Sequence, residues 1–379
     1  MHKDSYFTGQ PVFTQLLKLV DRSGVNLLSR QGNQDKYYKS FDTHSHLVTM
    51  LYCALNKCTS SREVVSGLKA CHNKLMHLGM IKAPGKSTLC DANKKRSYDV
   101  FGKIYESLLK KYAHFLPDSR CVKKEEKLYI VDSTTISLFQ EILKAPSMGK
   151  HNGQRKGGIK VHTLLSATHD VPVKLSFTAA RDNDMTFLQQ IELEPGSFIA
   201  FDKGYVDYAQ YQRFSDQNIS FVTRQRKGAK YTVLQSNSVS QDSKNKGVLK
   251  DQIILLGCPS HAKKIKLKAR LVSFFDNASG RLFEFLTNNF SLLPEHIAET
   301  YRKRWQIELL FKRIKQNFPL KYFLGDNENA IKIQIWVAFI ADLLIKIIQS
   351  QSKRKWAFAN LRSIIRLHLM NYIDLFVFL

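Results

Sequence analysis

The stretch YRKRWQIELLFKRIKQ, residues 301–316, holds one acid, Glu308, in a run otherwise crowded with cations. On an α-helix, at about 100° per residue, the side chains of Tyr301, Arg304, Glu308 and Lys315 project within roughly 60° of one another. The apolar residues form an adjoining stripe that is typical of a packing face. Arginine and lysine bind phosphate oxygens and a carboxylate binds a divalent cation, so this row of side chains suits phosphodiester chemistry.

A helix rich in lysine and arginine is more often a solvated face, in which a single glutamate is an ion-pair partner. Two acids upstream favour a functional interpretation. The apolar run LYIVD ends at Asp132 and the run SFIAFD ends at Asp202, and both runs are typical of strands. Three carboxylates in such positions form a candidate metal-binding set.

These residues resemble the DDE transposases of bacterial insertion sequences, specifically the insertion-sequence-four type. The resemblance rests on the three acids, on the Y-x2-R-x3-E-x6-K pattern, and on GGIKVHTLL, FDKGY and LTNNF, and it extends from about residue 127 to about residue 344. It implies a ribonuclease H-like fold and the cutting and rejoining of transposon ends. It also implies that Asp132, Asp202 and Glu308 are the catalytic residues and the ligands of two Mg²⁺ ions, for which Mn²⁺ is the expected substitute.

The same resemblance points to DNA-binding side chains, because the tyrosine and arginine of this row hold the 5′ phosphate of the non-transferred strand in similar transposases. We expect six side chains to bind DNA: Tyr301, Arg304, Lys315, Lys160, Arg155 and Lys203. Two of them lie in the glycine-bearing run NGQRKGGIK, where contacts to backbone phosphates are expected.

Four other polar residues lie near the predicted site in sequence. His162 and His151 are alternative bases or phosphate ligands, but a single histidine on a strand is more often a packing residue. Asn183 and Asp184 follow the third predicted strand, and we assign them no ligand role.

The chain carries 58 Lys+Arg against 32 Asp+Glu, a formal net charge of +26. Such an excess attracts polyanions, and ribosomal and membrane-surface proteins share it, so charge alone predicts only a polyanionic partner. Together with the motif, it leads us to expect double-stranded DNA, as transposon ends and target, bound by a homodimer.

The sequence also bears on location. The first ten residues lack the apolar core of a signal peptide. The most apolar run, residues 333–348, carries Asp342 and Lys346 and is shorter than the roughly 20 residues of a bilayer span. The six cysteines show no zinc-ligand spacing. We expect no membrane partner and a place in the bacterial cytoplasm, associated with the nucleoid when bound to DNA.

Apolar periodicity predicts helices from about residue 10 to about residue 116. Residues 87–96 (STLCDANKKR) are a candidate recognition helix, with a basic solvated helix as an equal alternative. The order that follows, three strands, helix, strand, helix, strand, is that of a ribonuclease H sheet. It places Asp132 on the central strand and Asp202 at the end of the adjacent one.

The expected fold is an α/β catalytic core with a ribonuclease H-like mixed sheet and a β-rich insertion, plus an all-helical N-terminal domain and a helical C-terminal region. The expected boundaries are 1–122 for the helical N-terminal DNA-binding domain, 123–225 and 286–325 for the catalytic domain, 226–285 for the insertion and 326–379 for the C-terminal region. The insertion has no tryptophan, so a residue that stacks on a flipped base there would be Tyr231, Phe274 or Phe275.

Two other classes of protein stay open. A structure-specific nuclease would use the same sheet and acids but would not need the Tyr-Arg-Lys row beside Glu308. A non-catalytic DNA-binding descendant would lose the acids. The sequence favours a transposase that binds terminal inverted repeats and catalyses two-metal-ion cleavage and strand transfer, and the resemblance implies a hairpin intermediate.

Overall fold

The structure is a computed structural model that describes residues 9–116, 127–137, 148–151, 154–180, 182, 184–257 and 266–379. The side chains of residues 148–151 and 154–157 lie outside this description. The chain divides into two compact units. The first comprises Met1–Pro117, Ile136–Ile159 and Phe311–Leu379, and the second comprises Asp118–Thr135 and Lys160–Leu310.

The N-terminal part of the first unit is helical, as the apolar periodicity predicts. Its α-helices are α1 (Val12–Leu17), α2 (Arg22–Gln31), α3 (Thr43–Asn56), α4 (Ser61–Ala70), α5 (Lys86–Lys95) and α6 (Tyr98–Tyr112). Side-chain caps define several starts: the Asp42 carboxylate accepts from the backbone N–H of Ser45, and the Ser60 hydroxyl accepts from that of Glu63. Each cap satisfies an N–H group that has no partner within its helix.

A mixed sheet dominates the second unit. The strands are β1 (Leu128–Ser137), β2 (Met148–His151), β3 (Gln154–Ser166), β4 (Val171–Ala179), β5 (Phe198–Phe201), β6 (Ser220–Arg224), β7 (Tyr231–Ser236), β8 (Val248–Gly257), β9 (Lys266–Asp276) and β10 (Arg281–Thr287), and all but β2 lie wholly or mostly in the second unit. The helices among and after them are α7 (Met185–Gln189), α8 (Tyr208–Asp216), α9 (Gln241–Asn245), α10 (Pro294–Arg302) and α11 (Trp305–Asn317).

From β3 onward the strand order is β3-β1-β5-β6-β10-β9-β8-β7, and β4 pairs with the other side of β3. Strands β1, β5 and β6 run parallel to one another, whereas β10 is antiparallel to β6. The strands of the predicted insertion, residues 226–285, therefore extend the same sheet. Apolar side chains such as Phe187, Phe201, Phe214 and Phe221 form the core of this unit.

The C-terminal part of the first unit is helical as well, with α12 (Glu328–Gln351), α13 (Phe358–His368) and α14 (Leu375–Phe378). The sequence predicts an amphipathic α12 with one packing face. The structure corrects this, because α12 is buried on all sides from Ala330 to Ile345 and packs against α3, α5, α6 and α13. Its polar side chains are satisfied within the unit: Gln334 donates to two backbone carbonyls, and Asp342 pairs with both Nε and Nη2 of Arg313.

Among the helices that the structure describes, none combines the length and the apolarity needed to cross a membrane.

Candidate active site

Parallel pairing of β1 and β5 places two of the predicted acids at one edge of the sheet. In the register, Val131 lies opposite Phe201, so the next residues, Asp132 and Asp202, follow on adjacent strands. Because neighbouring parallel strands end at the same edge, the two carboxylates meet there. The apolar runs before them are buried and fix both positions.

The stretch 301–316 is not one continuous helix, and the sequence-based prediction was wrong on this point. Tyr301 lies in the last turn of α10, Arg304 lies in the junction, and Glu308 lies in the first turn of α11. The backbone N–H of Arg304 donates to the carbonyl of Tyr301 at 2.9 Å. This bond spans three residues instead of four, so it tightens the turn and separates the two helices.

Arg304 joins two of the acids. Its Nη1 lies 2.8 Å from Oδ2 of Asp132 and 3.5 Å from Oε1 of Glu308. The guanidinium is mostly buried, whereas Glu308 is partly open to solvent. A single cation thus bridges an acid from the sheet and an acid from α11.

Asp202 has cationic and phenolic partners of its own. Nη2 of Arg224 lies 2.6 Å from its Oδ1, and the Tyr301 hydroxyl donates to the same oxygen at 3.1 Å. Arg224 is not among the candidate site residues predicted from the sequence. The signal was present, because β6 is the strand after β5 and Arg224 is its last residue.

The pKa values of the two sheet acids move in opposite directions. The pKa of Asp132 is raised to about 6, mainly by burial. The hydrogen bond from the Ser133 N–H and the charge of Arg304 lower this pKa, whereas the charges of Glu308 and Asp202 raise it. Burial also raises the pKa of Asp202, but the hydrogen bond and charge of Arg224, with the Lys203 N–H and the charge of Arg304, lower it overall. The three acids therefore lie close enough to influence one another's ionisation.

A fourth acid, Asp184, adjoins the site. The Ser133 hydroxyl, next to Asp132 in sequence, donates to Oδ1 of Asp184 at 3.0 Å. Lys160 Nζ lies 3.2 Å and His162 Nδ1 lies 3.4 Å from the same oxygen. We assigned Asp184 no ligand role from the sequence, because its contact with Ser133, 51 residues away, forms only in the folded chain.

His162 is buried, stacks on Phe187 and makes a 2.7 Å hydrogen bond through Nε2 with the Thr178 hydroxyl. Burial lowers its pKa. These contacts match the packing interpretation of a strand histidine. His151 and Asn183 have side chains outside the described residues.

The structure brings together some of the predicted DNA-binding residues. Tyr301, Arg304 and Lys160 all contact acids at this edge of the sheet. Lys203 is exposed next to Asp202, and Lys315 is exposed in the last turn of α11. The side chain of Arg155 lies outside the described residues.

A cavity of about 330 Å³ adjoins Arg304. Its walls combine four arginines, five aromatic rings and one acid: Arg224, Arg281, Arg302, Arg304, Phe274, Phe283, Phe285, Tyr301, Trp305 and Asp276. Phe283 and Phe285 stack with centroids 5.8 Å apart, and the Trp305 side chain is largely exposed. Of the three aromatic residues named above as candidates for base stacking, Phe274 belongs to this cavity. Cations and aromatic faces together suit a nucleotide.

The donor set suits a divalent metal. Within the part of the chain that the structure describes, no three His, Cys, Asp or Glu residues are close enough to form a metal site as they stand. Instead, the Arg304 guanidinium occupies the space between Asp132 and Glu308 and interacts with the charge of Asp202. Carboxylates offer the oxygen ligands that a hard dication prefers, and Asp132, Asp202 and Glu308 are the side chains here that could supply them.

Comparison with known proteins agrees with this chemistry. A family model described as "Transposase DDE domain" matches residues 123–344, and a model described as a domain of unknown function (DUF4372) matches residues 8–81. The chain is 31% identical to a putative transposase of Sinorhizobium fredii over 70% of this chain and 72% of that one. It is 26% identical to a probable insertion-sequence transposase of Geobacillus stearothermophilus over 71% and 68%, and 30% identical to a putative insertion-sequence transposase of Synechocystis over 69% and 71%. Since the first model covers more than half of the chain, the protein belongs to the DDE transposases of insertion sequences.

Proposed function

We propose that this transposase binds the terminal inverted repeats of an insertion sequence, cuts them from donor DNA and joins them to a target, with Asp132, Asp202 and Glu308 as its catalytic carboxylates. The observation that carries the proposal is the convergence of these acids from β1, from the end of β5 and from α11 around the Arg304 guanidinium. Family membership makes the enzyme a DNA transposase, and this convergence supports the assignment of the residues.

We also propose that the core is ribonuclease H-like. The strand order β4-β3-β1-β5-β6, with β1, β5 and β6 parallel, supports this topology. The first acid lies on the central strand and the second follows its parallel neighbour. The domain boundary proposed at residues 122 and 123 lies outside the described residues.

DDE transposase domains generally use divalent metal ions. We propose two Mg²⁺ ions, with Mn²⁺ as a substitute, held by Asp132, Asp202 and Glu308. Such ions, when bound, activate the attacking water or 3′-hydroxyl and stabilise the departing oxygen. The protein's own cations then face phosphate: Arg304 and Arg224 no longer neutralise carboxylates, and the Tyr301 hydroxyl becomes a donor to the DNA backbone.

The partner is double-stranded DNA, as transposon ends and target, and we propose a homodimer in the DNA complex. Tyr301, Arg304, Lys315, Lys160, Arg155 and Lys203 are the proposed DNA contacts. The arginine-lined cavity beside the acids supports a nucleotide bound next to the cleavage site. We also propose that cleavage proceeds through a DNA hairpin intermediate. The enzyme is proposed to work in the bacterial cytoplasm, at the nucleoid when it is bound to DNA.

The direct test is a strand-transfer assay with a duplex that carries the inverted repeat flanking the gene. Mg²⁺-dependent cleavage at the repeat, followed by joining to a target plasmid, is the expected result. Cleavage that ignores the repeat sequence and follows DNA structure would instead identify a structure-specific nuclease.

DNA affinity is expected to fall steeply with salt, because the net charge of +26 implies many contacts to phosphates. A protein that neutralises six to ten phosphates loses affinity on the order of 10³- to 10⁵-fold between 50 and 200 mM salt. Fluorescence anisotropy with the end duplex across this range measures the slope. A flat response would show that the excess charge serves another partner.

Mg²⁺ binding to the free protein is expected to weaken as the pH falls through about 6. Asp132 has its pKa raised to about 6 by burial, so below that pH it carries a proton that a metal must displace. The affinity should drop by about tenfold per pH unit below the pKa and stay level above it. Calorimetric titration at pH 5, 6 and 7 checks this, with Asp184→Ala, which keeps all three proposed ligands, as the control that should show the same slope. An affinity that stays level from pH 7 down to pH 5 would contradict the assignment.

Arg304→Ala is expected to strengthen Mg²⁺ binding and to weaken assembly on transposon ends. The variant frees Asp132 and Glu308 from their cation but removes a bidentate phosphate donor. Strand transfer should fall by roughly 10- to 100-fold, because that is the effect of losing the free energy of one hydrogen bond to a charged group. Arg304→Lys should not fully restore the rate of strand transfer. Metal binding and end-complex formation are measured in parallel, with the exposed neighbour Lys303→Ala as control. Lost metal binding with normal complex formation would show that Arg304 serves the metal site.

A further inference from the structure

We propose that the turn of residues 33–38 and the exposed face of α5 form one surface that binds duplex DNA at the transposon end. We call it the turn–helix surface. The proposal rests on the transposase function above, and it assigns a task to a turn inside the segment that matches a domain of unknown function.

The turn–helix surface is concave and basic. Residues of the turn and of α5 line a cavity of about 520 Å³, with Lys36 on one side and Lys95 on the other. Exposed Lys86 and Lys94 lie on α5 itself, and exposed Lys39 follows the turn directly. Among the lining residues Asp91 is the acid, so the positive charges outnumber it and complement phosphate.

The face of α5 that lines this cavity is polar. Ser87, Thr88, Asp91 and Lys95 line it, whereas Leu89, Ala92 and Asn93 are buried against the rest of the helical unit. A helix fits the major groove of B-DNA, where hydroxyl, carboxylate and ammonium groups bond base edges or phosphates. The exposed face therefore offers donors and acceptors that suit duplex DNA.

Arg96, the residue after α5, fixes the turn to the helix. Its side chain is 1% exposed, and its Nη2 donates to Oδ1 of Asp35 at 3.1 Å and to the backbone carbonyl of Phe41. The guanidinium also lies over the Tyr38 ring at 4.2 Å, and Gln34 accepts from the backbone N–H of Ser97 at 2.7 Å. The turn and α5 thus move as one body, and binding by such a preorganised surface costs less ordering entropy.

Tyr37 is the projecting residue of the turn. Its side chain is 90% exposed, its φ is +75°, and the Lys36 ammonium lies 5.3 Å from its ring centroid. A left-handed φ favours glycine, and a tyrosine held there is strained. The ring contributes little to the core because it is exposed. An aromatic ring beside a lysine on a basic surface instead fits packing against a deoxyribose beside a phosphate of the DNA backbone.

The test uses the full chain and measures binding to the inverted-repeat duplex by anisotropy. Tyr37→Gly removes the ring and relieves the strain, so we expect about a tenfold weaker affinity with an unchanged or higher Tm. Tyr37→Phe keeps the ring and should bind as the wild type does. Lys36→Ala/Lys95→Ala should reduce the salt slope by about two. The charge-matched control Lys69→Ala/Lys103→Ala, two exposed lysines outside the cavity lining, should keep it.

Wild-type affinity and slope in both the Tyr37→Gly and the Lys36→Ala/Lys95→Ala proteins would overturn the proposal. A lowered Tm in Tyr37→Gly would also overturn it, because the ring would then stabilise the fold. If the wild-type protein neither binds nor cleaves the end duplex, the proposed function itself fails. If it does both while these variants match it, only the turn–helix surface is wrong.

Discussion

Single replacement of Asp132, Asp202 or Glu308 by alanine is expected to abolish Mg²⁺-dependent cleavage while end binding is largely kept. Each acid supplies carboxylate oxygens at one edge of the sheet, and loss of one leaves too few ligands for the ions. The cleavage rate should fall by roughly 10³-fold or more, as when a member of a cooperating catalytic set is removed. Gel assays of strand cleavage and anisotropy of end binding, run on the same preparations, measure the two effects.

Asp184→Ala is the matched control, because this acid lies beside the site and contacts Ser133, Lys160 and His162 without belonging to the proposed set. It should retain measurable cleavage. Cleavage at a near wild-type rate in Glu308→Ala would remove Glu308 from the site. A loss of cleavage in Asp184→Ala as large as that in Asp132→Ala would show that Asp184 belongs to the catalytic set.

Asp251→Ala is expected to have the largest effect on stability. Asp251 accepts from Nε and Nη2 of Arg270 at 2.8 and 2.9 Å, and both residues are about 95% buried. Breaking a buried pair by removing one partner leaves an uncompensated charge and costs about 3–5 kcal/mol. Arg270 also donates through Nη1 to the carbonyls of Asn289 and Leu292, so the loss should reach the segment that leads into α10.

Thermal unfolding together with hydrogen exchange of the β8, β9 and β10 amides measures this loss and localises it. Asp251→Leu/Arg270→Met should recover much of the stability, since two apolar residues leave no buried charge. The exposed Arg281→Met on β10 should change the unfolding free energy by less than about 0.5 kcal/mol. Equal protection of the β9 amides in Asp251→Ala and wild type would show that the pair does not hold this part of the sheet.

The sequence could predict what depends on local pattern. Two apolar runs that each end in aspartate predicted the strands of Asp132 and Asp202, and parallel pairing made them neighbours. The break at Arg304 could not be foreseen, because neither proline nor glycine marks it. The burial of α12 could not be foreseen either. Its polar residues Gln334 and Asp342 are paired with the Pro319 carbonyl and the Arg313 side chain, and no sequence pattern marks these pairs. Domain boundaries and residue roles stay predictions.

The position of α12 governs the order in which the protein can fold during synthesis. Residues 328–351 are made after α3, α5 and α6, yet they pack against all three of these helices. The early helices therefore expose apolar surface until the ribosome has translated past α12, since non-local contacts must wait for their partner. A nascent or truncated chain that lacks α12 cannot complete its helical unit. The helical unit is thus completed only after α12 has been made.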